Sequence, residues 1–214
     1  SRGLGDVYKR QIVVPQCPRR LQWVAISCHA AAHTMSPEPS KPSQSAVDGL
    51  QQFLREEPHA DRTRIHLVGL SMGGFGAWEA AMRWPKCFAS VIALCGGADD
   101  HKLMQSHPEE LPAILAFHGT EDKVIMPMRS RKAVQAMRKV GVNRNRAKLT
   151  LAHGVKHGIW SVAFGDSTAS KWLFSGRRGS AGKRMSIESF RQRPRQVRRL
   201  RAQSVPISVE QGMV

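Results

Sequence analysis

Gly69-Leu70-Ser71-Met72-Gly73 forms a G-x-S-x-G between an apolar run, Ile65-His66-Leu67-Val68, and a segment with helical spacing, Phe75 to Trp84. A serine at a sharp strand-to-helix turn is held in a strained backbone conformation that pushes its Oγ clear of the sheet. Small residues two positions to either side avoid a collision at that turn. The helix that follows directs free N–H groups and its positive dipole end at the reacting carbonyl. Such a serine needs a base and an orienting acid before it is a useful nucleophile. With this kind of turn the acid and then the base follow in chain order, on loops after later strands.

Asp122 satisfies the position of the acid. It follows the apolar run Leu111 to Phe117 in His118-Gly119-Thr120-Glu121-Asp122, with Glu121 as the alternative carboxylate. His157 satisfies the position of the base. It lies beyond the short run Lys148 to Leu151, in Gly154-Val155-Lys156-His157-Gly158-Ile159-Trp160, with His153 as the alternative. The remaining histidines read as surface or core residues.

The elements that must position these groups alternate between strand and helix. Ile12-Val13-Val14 reads as a short strand stopped by Pro15. Met35 to Ser45 is a Pro/Ser-rich loop, and Ser45 caps a helix carrying Val47, Leu50, Phe53 and Leu54 that Pro58 ends. A strand at Ile65 to Val68 leads into the Gly-rich turn, and a helix over Phe75 to Trp84 stops at Pro85. Phe88 to Leu94 and Leu111 to Phe117 are apolar strands closed by glycines. Pro127 precedes a basic helix with Ala133, Val134, Met137 and Val140 on one face, ended by Gly141. Lys148 to Leu151 is a further strand, and a last helix runs through Trp172 to Phe174. Short apolar strands alternating with helices predict an α/β protein with a mostly parallel sheet.

GLSMGGFGAW (Gly69–Trp78), FHGTEDKVIMP (Phe117–Pro127) and KLTLAHGVKHGIW (Lys148–Trp160) together resemble the three signature regions of the α/β-hydrolase superfamily. The resemblance is to its dienelactone-hydrolase-like and feruloyl-esterase-like serine hydrolases, related to the prolyl oligopeptidase catalytic domain, and it covers about residues 12 to 174. It implies an α/β-hydrolase fold with Ser71 as nucleophile, Asp122 as acid, His157 as base and the Met72 backbone N–H as one oxyanion donor. Around the histidine the sequence departs from that pattern, with Lys156 before it and Gly158 after it. The family's early strands and the loop that gives its second oxyanion N–H would precede Ile12, so they are expected to be missing. The connection between Leu94 and Leu111 is short, which implies an open site without a large lid.

The chain has 214 residues, with 33 Lys+Arg against 16 Asp+Glu and a formal charge of +17. That length suits one domain. Residues 1–11 contain DVYKRQ, which looks like the translation of the transposon end used in sequencing-library preparation, and are set apart from the fold. Residues 12–175 are the expected catalytic domain. Residues 176–214 hold ten Lys/Arg and two Asp/Glu, few large apolar side chains and no sustained period, so they read as a basic tail. No apolar run is long enough for a membrane span. Four cysteines in a chain this long do not make a disulfide framework. Cys17, Cys28, His29 and His33 lack a tight Cys pair, so zinc is not expected; Cys87 and Cys95 read as core residues. No cofactor is implied.

The expected activity is cleavage of a carboxylic ester, small or polymer-linked, through an acyl-enzyme. Two other readings stay open: a serine peptidase of the prolyl oligopeptidase type, and an inactive fragment that binds polyanions through its basic tail. Nucleic acid would enter only through that tail.

Overall fold

The computed structural model describes residues 10–26, 32–165 and 167–177. Most of the segment set apart at 1–11 and of the basic tail at 176–214 lies outside these residues, as do Cys28 and His29. Four strands, β1 (His66–Leu70), β2 (Ser90–Leu94), β3 (Ala113–Gly119) and β4 (Ala147–Ala152), form one parallel sheet in the order β1-β2-β3-β4. The helices are α1 (Lys41–Glu56), α2 (Met72–Arg83), α3 (Asp100–Met104), α4 (Met128–Lys139), α5 (Trp160–Phe164) and α6 (Thr168–Ser175). This is the α/β-hydrolase arrangement of a mostly parallel sheet flanked by helices.

Both faces of the sheet are covered, which is why its central strands are continuously apolar rather than alternating. All five residues of β2 are buried. Val91 and Ala93 point to one face, where Val47 and Leu54 of α1, Trp78 and Ala81 of α2, and Ala133 and Met137 of α4 close the larger core. Ile92 and Leu94 point to the other, against Ile159, Ala163 of α5 and Leu173 of α6. Trp78, wholly buried, and Trp84 are the largest side chains of the first layer. Among the described residues β1 pairs only with β2 and is half-buried, so it forms one edge of the sheet.

Two sequence expectations are corrected. Ile12, Val13 and Val14 form no strand and are exposed: among the described residues no strand lies beside them to accept their backbone hydrogen bonds, and Pro15 removes a donor. The cap of α1 is Ser40 rather than Ser45, which sits inside the helix. Ser40 Oγ accepts the Ser43 N–H, and both serine hydroxyls donate to Trp23 O at 2.6 Å. Pro42 falls in the first turn, where its missing N–H costs nothing. The other elements lie where the pattern puts them, with ends shifted by a few residues, while the short helices α3 and α5 gave no sequence signal. No helix among the described residues is long and apolar enough to cross a membrane.

Candidate active site

Ser71 stands between β1 and α2 with φ 58° and ψ −117°, a left-handed backbone on a non-glycine residue. Two hydrogen bonds hold it there: its N–H donates to Leu94 O at 2.9 Å, and its carbonyl accepts the Phe75 N–H at 3.1 Å. The glycine requirement of the turn is one-sided. A Cβ on Gly69 would lie 2.0 Å from Gly73 O, whereas one on Gly73 would meet nothing within 4 Å. Gly74 and Gly96, outside the five-residue motif, are equally tight. A Cβ on Gly74 would come 2.5 Å from Leu94 O, and one on Gly96 would come 2.5 Å from the Gly74 carbonyl carbon. These two glycines bring the start of α2 against the end of β2. Met72, Gly73 and Gly74 open the helix, and their N–H groups have no acceptor within it.

The three residues picked from spacing come together. Ser71 Oγ is 2.9 Å from His157 Nε2, and His157 Nδ1 is 2.7 Å from Asp122 Oδ2. In the tautomer this chain requires, the serine hydroxyl donates to Nε2 and Nδ1–H donates to the carboxylate. Glu121 and His153, the alternatives, are both exposed on the surfaces of their loops.

Each loop is built differently. Asp122 is buried, and its Oδ1 accepts the N–H groups of Val124 and Ile125, each at 2.9 Å. Burial works to raise this carboxyl. The N–H of Ile125, His157, the Cys95 thiol and the N–H of Val124 together outweigh it and hold the group below the usual carboxylate range. The loop after β4 reaches back to the loop after β3 through two hydrogen bonds: Glu121 N–H donates to Val155 O at 3.0 Å, and Gly154 N–H to Thr120 Oγ1 at 3.0 Å. Gly119 makes that approach possible, since a Cβ there would lie 2.2 Å from Val155 O and 2.3 Å from Lys156 O.

Cys95, φ 47°, lies under the histidine loop, its thiol donating to His157 O at 3.5 Å; burial pushes its pKa up to about 12. Cys95, His118 and Asp122 bring potential metal-ligating atoms within 4.8 Å of one another. The donor atoms are already engaged with protein partners: His118 nitrogens with Ser130 Oγ and Ile125 O at 2.8 Å each, and Asp122 Oδ2 with His157 at 2.7 Å. Several exposed large apolar side chains lie close in the chain to the three residues. Met72 beside the serine, Val124, Met126 and Met128 after the aspartate, and Trp160 and Val162 after the histidine are all exposed.

Residues 16–170 match the family model described as phospholipase/carboxylesterase. Among solved structures, the chain is similar to a thermostable esterase, with 30% identity and a TM-score of 0.65 over 76% of this chain and 43% of that one. It therefore spans less than half the length of that protein. It is also similar to esterase PE8, at 24% identity and a TM-score of 0.49 over 62% of each chain. A third is the acetyl xylan esterase of Aspergillus awamori, at 14% identity and a TM-score of 0.47 over 60% of this chain and 67% of that one. No curated protein matches. With most of its described residues inside the matched region, this chain belongs to the phospholipase/carboxylesterase family of the α/β-hydrolase superfamily.

Proposed function

We propose that the protein is a serine hydrolase that cleaves carboxylic esters through an acyl-enzyme. The observation that carries this reading is the continuous hydrogen-bond chain from Ser71 Oγ through His157 to Asp122, at 2.9 and 2.7 Å, starting from a strained turn. Ser71 Oγ attacks the ester carbonyl carbon while its proton passes to His157 Nε2. Asp122 accepts the Nδ1–H and offsets the positive charge that the ring acquires. The Met72 N–H, at the head of α2, stabilises the oxygen of the tetrahedral intermediate. The intermediate collapses as Nε2 returns the proton to the leaving alcohol, giving acyl-Ser71. A water then attacks the acyl carbon, gives its proton to Nε2, and the acid leaves as Ser71 Oγ takes that proton back.

The exposed apolar side chains of Met72, Met126 and Trp160, close in the chain to the three residues, support an ester with an apolar acyl or alcohol group. Membership of a family described by phospholipase and carboxylesterase activities supports the same reaction class. A p-nitrophenyl ester series, run beside anilides with the same acyl groups, tests the reading. Ester turnover that disappears in Ser71→Ala sustains it. Anilide turnover at a comparable rate would favour a peptidase instead, and ester turnover unchanged in the alanine variant would remove Ser71 from the reaction.

A further inference from the structure

Asp122 carries a second histidine. His118, the penultimate residue of β3, is fully buried, with Nε2 2.8 Å from Ile125 O and 3.2 Å from Asp122 Oδ2. Its Nδ1 lies 2.8 Å from Ser130 Oγ in α4, and that hydroxyl is also 2.8 Å from Gly96 O.

Counting protons assigns the roles. A carbonyl oxygen only accepts, so Nε2 carries the hydrogen and donates toward Ile125 O and Asp122 Oδ2. Burial disfavours the charged ring and lowers its pKa, so Nδ1 is the bare nitrogen, and the single Ser130 hydroxyl hydrogen is shared between it and Gly96 O. Asp122 Oδ2 is then shared between two imidazole N–H groups, from His157 at 2.7 Å and His118 at 3.2 Å. Its partner Oδ1 is already filled by two backbone N–H groups. Four N–H groups therefore converge on the acid beside the Cys95 thiol, and one of them is tied through Ser130 to Gly96, just after β2.

We propose that His118 is a positioning residue for the triad: its Nε2–H fixes the Asp122 carboxylate toward His157 and draws off part of the charge that carboxylate offers. The inference rests on Asp122 being the triad acid. It differs from a purely architectural role, in which His118 would only staple Ile125 O and fill space. In that case the electronic state of the His157–Asp122 bond would not depend on the donor at the Nε2 position.

The test uses His118→Gln, whose amide nitrogen can donate from near the Nε2 position, His118→Asn, which reaches only as far as Nδ1, and Ser130→Ala. Two properties are read on the whole protein. One is the far-downfield proton resonance of the His157 Nδ1–H in its bond to Asp122. The other is the rate of Ser71 labelling by a fluorophosphonate between pH 5 and 9.

In His118→Asn the resonance moves further downfield, since Oδ2 loses its competing donor. The acid limb of the labelling profile moves to higher pH by roughly half a pH unit or more, and the plateau rate falls about 10-fold. His118→Gln stays close to the wild type in both, and Ser130→Ala moves in the same direction as Asn but less. Gln and Asn variants that behave alike, or an unmoved resonance in Asn, would overturn the proposal. If Ser71 takes no label in the wild type, the catalytic reading fails on its own, and the resonance alone then decides the role of His118. If His118→Asn does not fold, Ser130→Ala decides: a wild-type resonance and pH limb there overturns the proposal.

Discussion

The loop that carries Asp122 and the loop that carries His157 lie against each other and are built on opposite plans. The Asp122 carboxylate is out of contact with solvent and receives two backbone N–H groups at 2.9 Å besides the two histidines. The His157 side chain is 27% exposed, and among the described residues its ring is hydrogen-bonded to Ser71 and Asp122. An acid that never changes its proton state is best fixed by folding itself. A base that passes a proton from nucleophile to leaving group must be free to adjust by a few tenths of an ångström. With the roles proposed above, the fold concentrates its polar interactions on the acid and leaves the base to be positioned by the acid.

That contrast is testable by separating turnover from stability. On the proposed mechanism His157→Ala removes the base from a partly exposed position, so ester turnover is expected to fall by about 10⁶-fold. The melting temperature changes little. Asp122→Asn lowers turnover less, by about 10⁴-fold. It costs more stability, roughly 1–3 kcal/mol, because an amide cannot accept from every donor directed at the carboxylate. Steady-state kinetics and denaturant melts on the two variants read both. Equal stability losses would break the contrast.

Gly119→Ala attacks the contact between the loops. With Val155 O and Lys156 O closer than 2.5 Å to the new Cβ, the loops must separate. The expected losses are about 100-fold in turnover and 1–3 kcal/mol in stability. Crystals of the variant should show Asp122 and His157 further apart.

A smaller effect follows from the pH dependence of the acid. The Asp122 carboxyl is held below its unfolded value of about 3.9, so its folded form binds fewer protons than the unfolded chain in that range. The stability it contributes is complete above the unfolded value and is lost as pH falls through the folded one. Equilibrium melts should show wild type losing its advantage over Asp122→Asn below about pH 4 and keeping it in full at pH 6. The smallest effect is expected at Cys95. With its pKa near 12 and no exposure, its thiol should resist alkylation by iodoacetamide at pH 8 in the folded protein and react once the chain is unfolded.

The candidate site was legible in the sequence wherever the chemistry proposed for it leaves a spacing. Ser71 announces itself through Gly69 and Gly73, and Asp122 and His157 through their distances beyond apolar strands. What stayed hidden is what depends on approach in three dimensions. Nothing near Gly119 in sequence tells that Val155 and Lys156 cross it, and nothing near Gly74 shows that Gly96 packs on it. His118 resembles any core histidine until the fold sets it beside Asp122. The fold itself was legible because buried parallel strands are written as apolar runs, as in β2. The same rule misled at Ile12–Val14, where an apolar triplet has no neighbour to pair with. It was silent for α3 and α5, five residues each, too short to show a helical period.

The central claim is that Ser71 is a nucleophile activated by His157 and Asp122. Labelling with a fluorophosphonate probe, followed by peptide mapping, tests it on the wild type and on Ser71→Ala. The account predicts probe on the peptide containing Ser71, none on the alanine variant, and labelling slowed severalfold or more in His157→Ala. Wild-type protein that is folded yet takes no probe, or takes it at a residue other than Ser71, would contradict it.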